Sequence, residues 1–301
     1  MENQESSKWC VPAHITGLFQ IVANEDPLKM GSRGAGFSID EPIITQAFYQ
    51  KTKKNSLEVY FNDVRIDGKV TENVANNFRD YWTNQGLILQ HHSKLPMQAG
   101  FGTSGAGAIG TAFALNELFN TNFDRITLGQ MAHKAEVENR SGLGDVIAQM
   151  KGGAEIRLQP GAPGIGEIIS FNWSKDIHVL SIFLGTISTK KIITSKKHIE
   201  DINNASGKLL SKLSSTSSVK DFADASYSFS KEIELMNKPV ERMITILREK
   251  GYQASMIMIG ESIFVAGKKE ELIKCLEIIK TNDPKIPYWI NQISDIGPSK
   301  M

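Results

Sequence analysis

Apolar and polar positions along the chain follow two periods, one near 2 and one near 3.6. Trp9-Cys10-Val11-Pro12-Ala13-His14-Ile15-Thr16-Gly17-Leu18-Phe19 is apolar and extended, with breaks at Pro12 and Gly17. The glycines at 31, 34 and 36 predict a tight loop between strands. Leu57, Val59 and Phe61 alternate with Glu58 and Tyr60 as in a strand. Val74, Phe78, Tyr81 and Trp82 fall close to one face of a helix predicted over Thr71 to Asn84. Gly86 to His92 starts another strand, running toward Pro96. Residues 100–107 form a small-residue loop that feeds an alanine-rich helix over 108–118. Thr127 and Gln130 have capping-box spacing, and the helix they open extends to about Asn139. A loop, Arg140 to Gly144, then presents Asp145 ahead of a short apolar turn.

Pro160 to Gly166 holds the densest proline and glycine, which marks the best domain boundary. Beyond it, His178 to Ile187 reads as a strand and 196–250 as mostly helical, with Ser211 to Ser218 as a turn between helices. Tyr252 to Met258 and Ser262 to Ala266 read as paired strands, Glu270 to Lys280 as a helix, and Tyr288 to Ile296 as a closing strand. Strands followed by helices, twice over, argue for an α+β protein in two parts, residues 1–166 and 167–301.

Composition narrows the function classes. Thirty-four Lys and Arg against 33 Asp and Glu leave a net charge of +1, so no basic surface for nucleic acid or anionic membrane is expected. Cys10 and Cys275 are too few for a disulfide framework or a cysteine zinc site. The polar, acid-bearing start is no signal peptide, and Val179 to Ile187 is far short of a membrane span. The expected location is the cytoplasm.

The richest chemistry lies in Gly100-Phe101-Gly102-Thr103-Ser104-Gly105-Ala106-Gly107. Gly100, Gly102 and Gly105 match a dinucleotide fingerprint formally, but the preceding residues are polar and the downstream acid, Asp124, introduces a helix. No Gly-Lys-Ser/Thr follows, so the loop is not a Walker A motif either. What remains is a loop whose amides, at the positive end of a helix, suit phosphate, with Ser104 able to offer oxygen to a divalent cation. Glu136 borders the apolar stripe of its helix with Leu128 and Ala132; Glu138 borders the other edge, and periodicity does not choose between them. Asp145 can serve as a general base, as a helix cap, or both. His91 and His92 are adjacent on an extended segment and point to opposite faces, so they form no metal pair.

Together these strings resemble the GHMP kinase superfamily: the glycine-serine loop, the acid on the next helix, and Ser141-Gly142-x-x-Asp145 with Gly152 seven residues on. Closer still, Pro12-Ala13-His14-Ile15-Thr16-Gly17, Gly31-Ser32-Arg33-Gly34-Ala35-Gly36, the 100–108 loop, Ala135-Glu136-Val137 and Gly142-Leu143-Gly144-Asp145-Val146 resemble the archaeal pantoate kinases over essentially the whole chain. The resemblance implies a GHMP kinase fold. Its N-terminal domain would be of the ribosomal-protein-S5-domain-2-like kind and its C-terminal domain ferredoxin-like. It implies phosphorylation of pantoate with ATP and Mg2+, a step of coenzyme A synthesis. A homodimer is expected. By position, Ser104 and Glu136 would take the magnesium and Asp145 the base role. For pantoate, a small hydroxy acid, the candidates are Arg157, His133, Ser32, Arg33, Thr189 and His14. Many superfamily members carry lysine where this chain has His14, and the glycine-rich third motif is replaced here by Gly251 to Gly260. The competing readings are a mevalonate- or homoserine-type kinase, a decarboxylase on the same scaffold, and a nucleotide-binding regulator without turnover.

Overall fold

The structure is a computed structural model that describes residues 5–50 and 54–301. In chain order its elements are β1 (Trp9–Val22), β2 (Gly31–Gln50), β3 (Leu57–Phe61), β4 (Val64–Arg65), α1 (Lys69–Asn76), α2 (Arg79–Trp82), β5 (Gly86–His92), α3 (Thr103–Phe119), α4 (Arg125–Asn139) and α5 (Asp145–Lys151). They continue with β6 (Ala154–Gln159), β7 (Glu167–Ser170), β8 (Ile177–Gly185), α6 (Thr189–Thr194), α7 (Lys196–Leu210), α8 (Val219–Glu232), α9 (Lys238–Glu249), β9 (Ala254–Ile257), β10 (Glu261–Lys268), α10 (Lys269–Asn282), β11 (Tyr288–Gln292) and β12 (Ser299–Lys300).

The first sheet runs β12-β1-β2-β5-β3-β4, with β6 on β2 and β7 on β6. The second runs β11-β8-β10-β9. Counting only the strands of that sheet, the order is 4-1-3-2 with α10 crossing between β10 and β11, the ferredoxin-like arrangement. The two parts meet on aromatic side chains. Phe37 of β2 packs edge-on against Phe222 of α8 and Phe264 of β10, at ring distances of 5.7 and 5.6 Å. All three are fully buried. Burying each is worth roughly 1.5–3 kcal/mol, so this contact is a principal tie between the halves.

Several local expectations change. The glycines 31, 34 and 36 make no loop: they begin the 20-residue β2 and pair with β1 along its length. Pro12 and Gly17 do not end β1 either; the strand absorbs them as register shifts at Pro12/Ala13 and between Thr16 and Leu18. The helix expected over 71–84 is broken into α1 and α2. Phe78 and Trp82 turn into the core, with the Trp82 ring donating to the Ala75 carbonyl at 3.2 Å, while Tyr81 is 50% exposed and stacks on Phe119. A single straight helix would not serve both sets. Asp124, not Thr127, caps α4: its carboxylate accepts from the Thr127 amide at 2.8 Å. Pro160 to Gly166 is a connection within the β6–β7 pair. The closing strand stops at Gln292. No helix among the described residues is long and apolar enough to cross a membrane.

Candidate active site

A cleft of about 730 Å³ opens where β1, β2 and β6 approach the loop before α3 and the first turn of α5. Gly102 has φ +62°, in the left-handed region, and is the residue from which α3 springs. No side chain caps this helix start. The first-turn amides of α3 therefore have no side-chain cap among the described residues, the arrangement that suits an anion. The loop is held from behind. Gln149 of α5 donates to the carbonyls of Pro12 and Gly102, each at 3.0 Å, and the His14 amide donates to the Phe101 carbonyl at 3.0 Å. Gly100, Phe101, Gly102, Thr103, Ser104 and Gly107 line the cleft, whereas Gly105 and Ala106 are buried in the packing of α3, Gly105 facing Gln149 and Asp145 of α5.

Ser104 projects from that first turn and donates to Glu136 Oε1 at 2.5 Å; Ser141 donates to the same oxygen at 2.8 Å. Glu136 is 2% exposed, and its Oε2 is buried without a hydrogen-bond partner. Burial pushes its pKa up to about 7, with the charge of Asp145 adding to the rise and the two serine hydroxyls opposing it. Of the two acids left open by periodicity, Glu136 is buried against Ser104, whereas Glu138 is exposed beside Lys134 and lines the cleft.

Asp145 is the first residue of α5, which begins after Gly144, so its place is N1 and not the cap. Its side chain keeps 28% exposure. His14 Nδ1 lies 3.0 Å from Asp145 Oδ1, and His14 Nε2 lies 3.1 Å from Glu155 Oε1. Glu155 Oε1 also accepts from Arg157 Nη1 at 2.6 Å. Burial alone would raise the Asp145 pKa, but the His14 hydrogen bond and charge, with Arg157 behind, hold it below the ordinary carboxylate value. The His14 ring moves the other way. Burial disfavours its charged form, yet Glu155 and Asp145 outweigh that and its pKa is raised.

The other expected substrate residues divide. Arg157 and Ser32 line the cleft, as does Thr189 at its rim together with Ser188 and Lys190. Arg157 Nη2 approaches Thr16 Oγ1 at 3.4 Å and its Nε has no partner. Three expectations fail. His14 is fully buried, lines no part of the cleft and gives both ring nitrogens to Asp145 and Glu155. Arg33 alternates with Ser32 along β2, so it turns away from the cleft and donates to Gln20 at 3.2 Å. His133 is buried, and its Nε2 lies 2.9 Å from the Met30 carbonyl; it ties α4 to the entry of β2 and lines no part of the cleft. Burial lowers its pKa. Sequence reasoning missed Glu155, Gln149 and Thr16. For Glu155 a signal existed: glycines two apart in β2 leave a slot where side chains from both neighbouring strands meet. The described residues hold no group of three or more His, Cys, Asp or Glu placed to bind a metal by themselves.

Residues 69–153 match the family model of the GHMP kinases N terminal domain. The chain is 32% identical over 271 residues to the pantoate kinase of Methanocaldococcus jannaschii, covering 89% of this chain and 96% of that protein. With the pantoate kinase of Thermococcus kodakarensis the identity is 31% over 290 residues, 94% of each. Among solved structures, one described as a phosphotransferase related to the CoA biosynthesis pathway superposes with a TM-score of 0.86 at 29% identity, over 97% of both chains. The chain belongs to the pantoate kinase family of the GHMP kinases.

Proposed function

We propose that the chain uses ATP to phosphorylate (R)-pantoate to (R)-4-phosphopantoate in coenzyme A biosynthesis. The observation that carries this reading is the placement of Asp145. It is a partly open carboxylate at the wall of the cleft, with the uncapped start of α3 and the Ser104–Glu136 pair beside it.

Phosphoryl transfer is mostly positioning and charge stabilisation. We assign the triphosphate to the 100–107 loop at the first-turn amides of α3, ahead of Ala106, whose N–H donates to the Gly102 carbonyl; the helix dipole adds partial positive charge there. The nucleotide would lie between an N-terminal lobe, residues 1–166, and a C-terminal lobe, residues 167–301. Ser104 and Glu136 would hold Mg2+. They fit it: both offer hard oxygen, one Glu136 oxygen is buried without a partner, and a single carboxylate with a hydroxyl leaves the remaining coordination to phosphate and water. The ion, when bound, supplies neutralisation of phosphate charge.

Asp145 accepts a hydrogen bond from the C4 hydroxyl of pantoate and takes its proton as the new O–P bond forms and ADP leaves. Its lowered pKa keeps it ionised through the physiological range. Arg157, Thr16, Ser32 and Thr189 line the cleft and would receive the pantoate carboxylate and hydroxyls. A cytoplasmic homodimer is part of the same proposal.

The test is an ADP-release assay with pantoate, mevalonate and homoserine offered separately, followed by the mass of the product. We expect turnover with pantoate alone and a product heavier by one phosphoryl group with no loss of carbon dioxide. Comparable turnover of mevalonate or homoserine, or hydrolysis of ATP indifferent to pantoate, overturns the assignment. Arg157→Ala should raise the pantoate KM; an effect confined to ATP removes Arg157 from the acceptor site.

A further inference from the structure

Four ionisable side chains form a line with alternating charge: Asp145, His14, Glu155 and Arg157. Asp145 is open to the cleft, whereas His14 and Glu155 are fully buried and Arg157 is 1% exposed. They come from three elements, α5, β1 and β6, and they meet across β2 because β2 withholds its side chains there. Gly36 is paired with Glu155 of β6 and with Thr16 of β1, and Gly34 is paired with Arg157. A Cβ on Gly36 would stand 2.8 Å from His14 Nε2, and one on Gly34 would stand 2.5 Å from Arg157 Nη2.

The geometry bears on the state of the histidine when both carboxyls are ionised. Each ring nitrogen faces a carboxylate oxygen. A neutral imidazole carries one N–H and can satisfy only one of them; an imidazolium carries two and satisfies both. Glu155 is the deeper partner, bridging His14 and Arg157 through one oxygen. The groups facing the ring are Asp145 from α5 and Glu155 from β6. Arg157 stands behind Glu155, and Glu136 of α4 lies beyond Asp145. From β2 come only Gly36 and Ser38, which carry no charge.

We infer that Glu155 is a positioning residue for the phosphoryl transfer. It holds His14 as a doubly protonated ring, and through that ring it fixes Asp145 Oδ1, leaving Oδ2 for the substrate hydroxyl. Among the described residues Oδ2 receives no hydrogen bond. Glu155 touches no substrate and acts only through His14. This inference rests on the kinase reading for its consequence in turnover, but not for the state of the ring.

Two measurements test it. The first is the 15N shifts of the His14 ring in the free protein near pH 7, in wild type and in Glu155→Gln, which keeps the shape and removes the charge. We expect both nitrogens protonated in wild type and a neutral ring in the variant. The second is steady-state kinetics of folded Glu155→Gln. We expect kcat to fall about tenfold or more with the ATP KM unchanged, and the alkaline limb of its pH profile to move to lower pH, because His14 loses its proton sooner. A neutral His14 in wild type overturns the inference whether or not any variant folds. A ring that stays doubly protonated in Glu155→Gln, or an unchanged kcat, also overturns it. Absence of pantoate turnover in wild type would sink the kinase reading while the ring measurement still stands.

Discussion

Glu136 is a carboxyl taken out of water and set near a second carboxylate, and its pKa of about 7 follows from that placement. The sign of its effect on stability is fixed. The native value lies above the ordinary 4.5, so the stability this group contributes is complete below about 4.5 and is lost as pH rises through about 7. Metal-free protein should therefore melt at a lower temperature near pH 8 than near pH 5, and Glu136→Gln should flatten that slope. Thermal scans of both proteins across this range check it, and parallel slopes would show that Glu136 is not the titrating group. Asp145 is argued from reactivity. Asp145→Asn should lower kcat by about 10²–10⁴-fold with an unchanged circular dichroism spectrum, and near-wild-type turnover would remove it as the base. At this scale the sequence was informative up to a limit. Ser104 and Asp145 stand out by their glycine neighbours, but Glu136 and Glu138 border one stripe symmetrically. What separates them is the approach of α3, a contact between residues 32 positions apart. His133 and Arg33 misled because a residue type and a near neighbour say nothing of which way a side chain turns.

At the level of elements, the clustered glycines 31, 34 and 36 predict a loop in the sequence and form the start of a strand in the fold. Clustered glycine mostly signals a turn. Here the same absence of a side chain serves close approach inside a strand, as it does at sites where another group must come near. Gly36→Ala tests this. Its methyl would stand 2.4 Å from the Ile15 carbonyl oxygen and 2.8 Å from the His14 ring, and the first of these is backbone that cannot swing aside. We expect a loss of roughly 1–3 kcal/mol in stability from overpacking, with a fall in kcat larger than that of other alanine variants of equal stability. Equal falls would mean that Gly36 matters to folding alone. Helix starts show the same pattern on a smaller scale. Asp124 caps α4 three residues before the place the Thr127–Gln130 spacing predicts. Both sets of residues have capping chemistry, and only the path of the incoming chain decides between them.

Across the whole molecule, the segment 160–166 joins two strands of one sheet, and the change of sheet comes later, between β7 and β8, without a break in the core. One apolar cluster joins Val11, Phe37 and Phe101 to Phe222, Phe264 and Leu272, and α7 and α8 from the second half pack on β1 of the first. The C-terminus returns to β1 as well, with Cys10 facing Ser299 and Trp9 facing Lys300. Such cores unfold together, because exposing the partner face of Phe37 costs both halves at once. Calorimetry of the whole chain should give one transition, and residues 1–166 expressed alone should not melt cooperatively; two separated transitions would show independent domains. The cleft sits on this shared core, so a ligand bound there stabilises the entire chain. At 100 times its Kd a nucleotide would add about 2.7 kcal/mol. For a chain of this size that should raise the melting temperature by several degrees, about 2–4 °C per kcal/mol. The rise should be larger with magnesium than with nucleotide and chelator, and Ser104→Ala with Glu136→Gln should lose the magnesium-dependent part. A rise that is the same with and without the metal would mean that these two residues do not hold it.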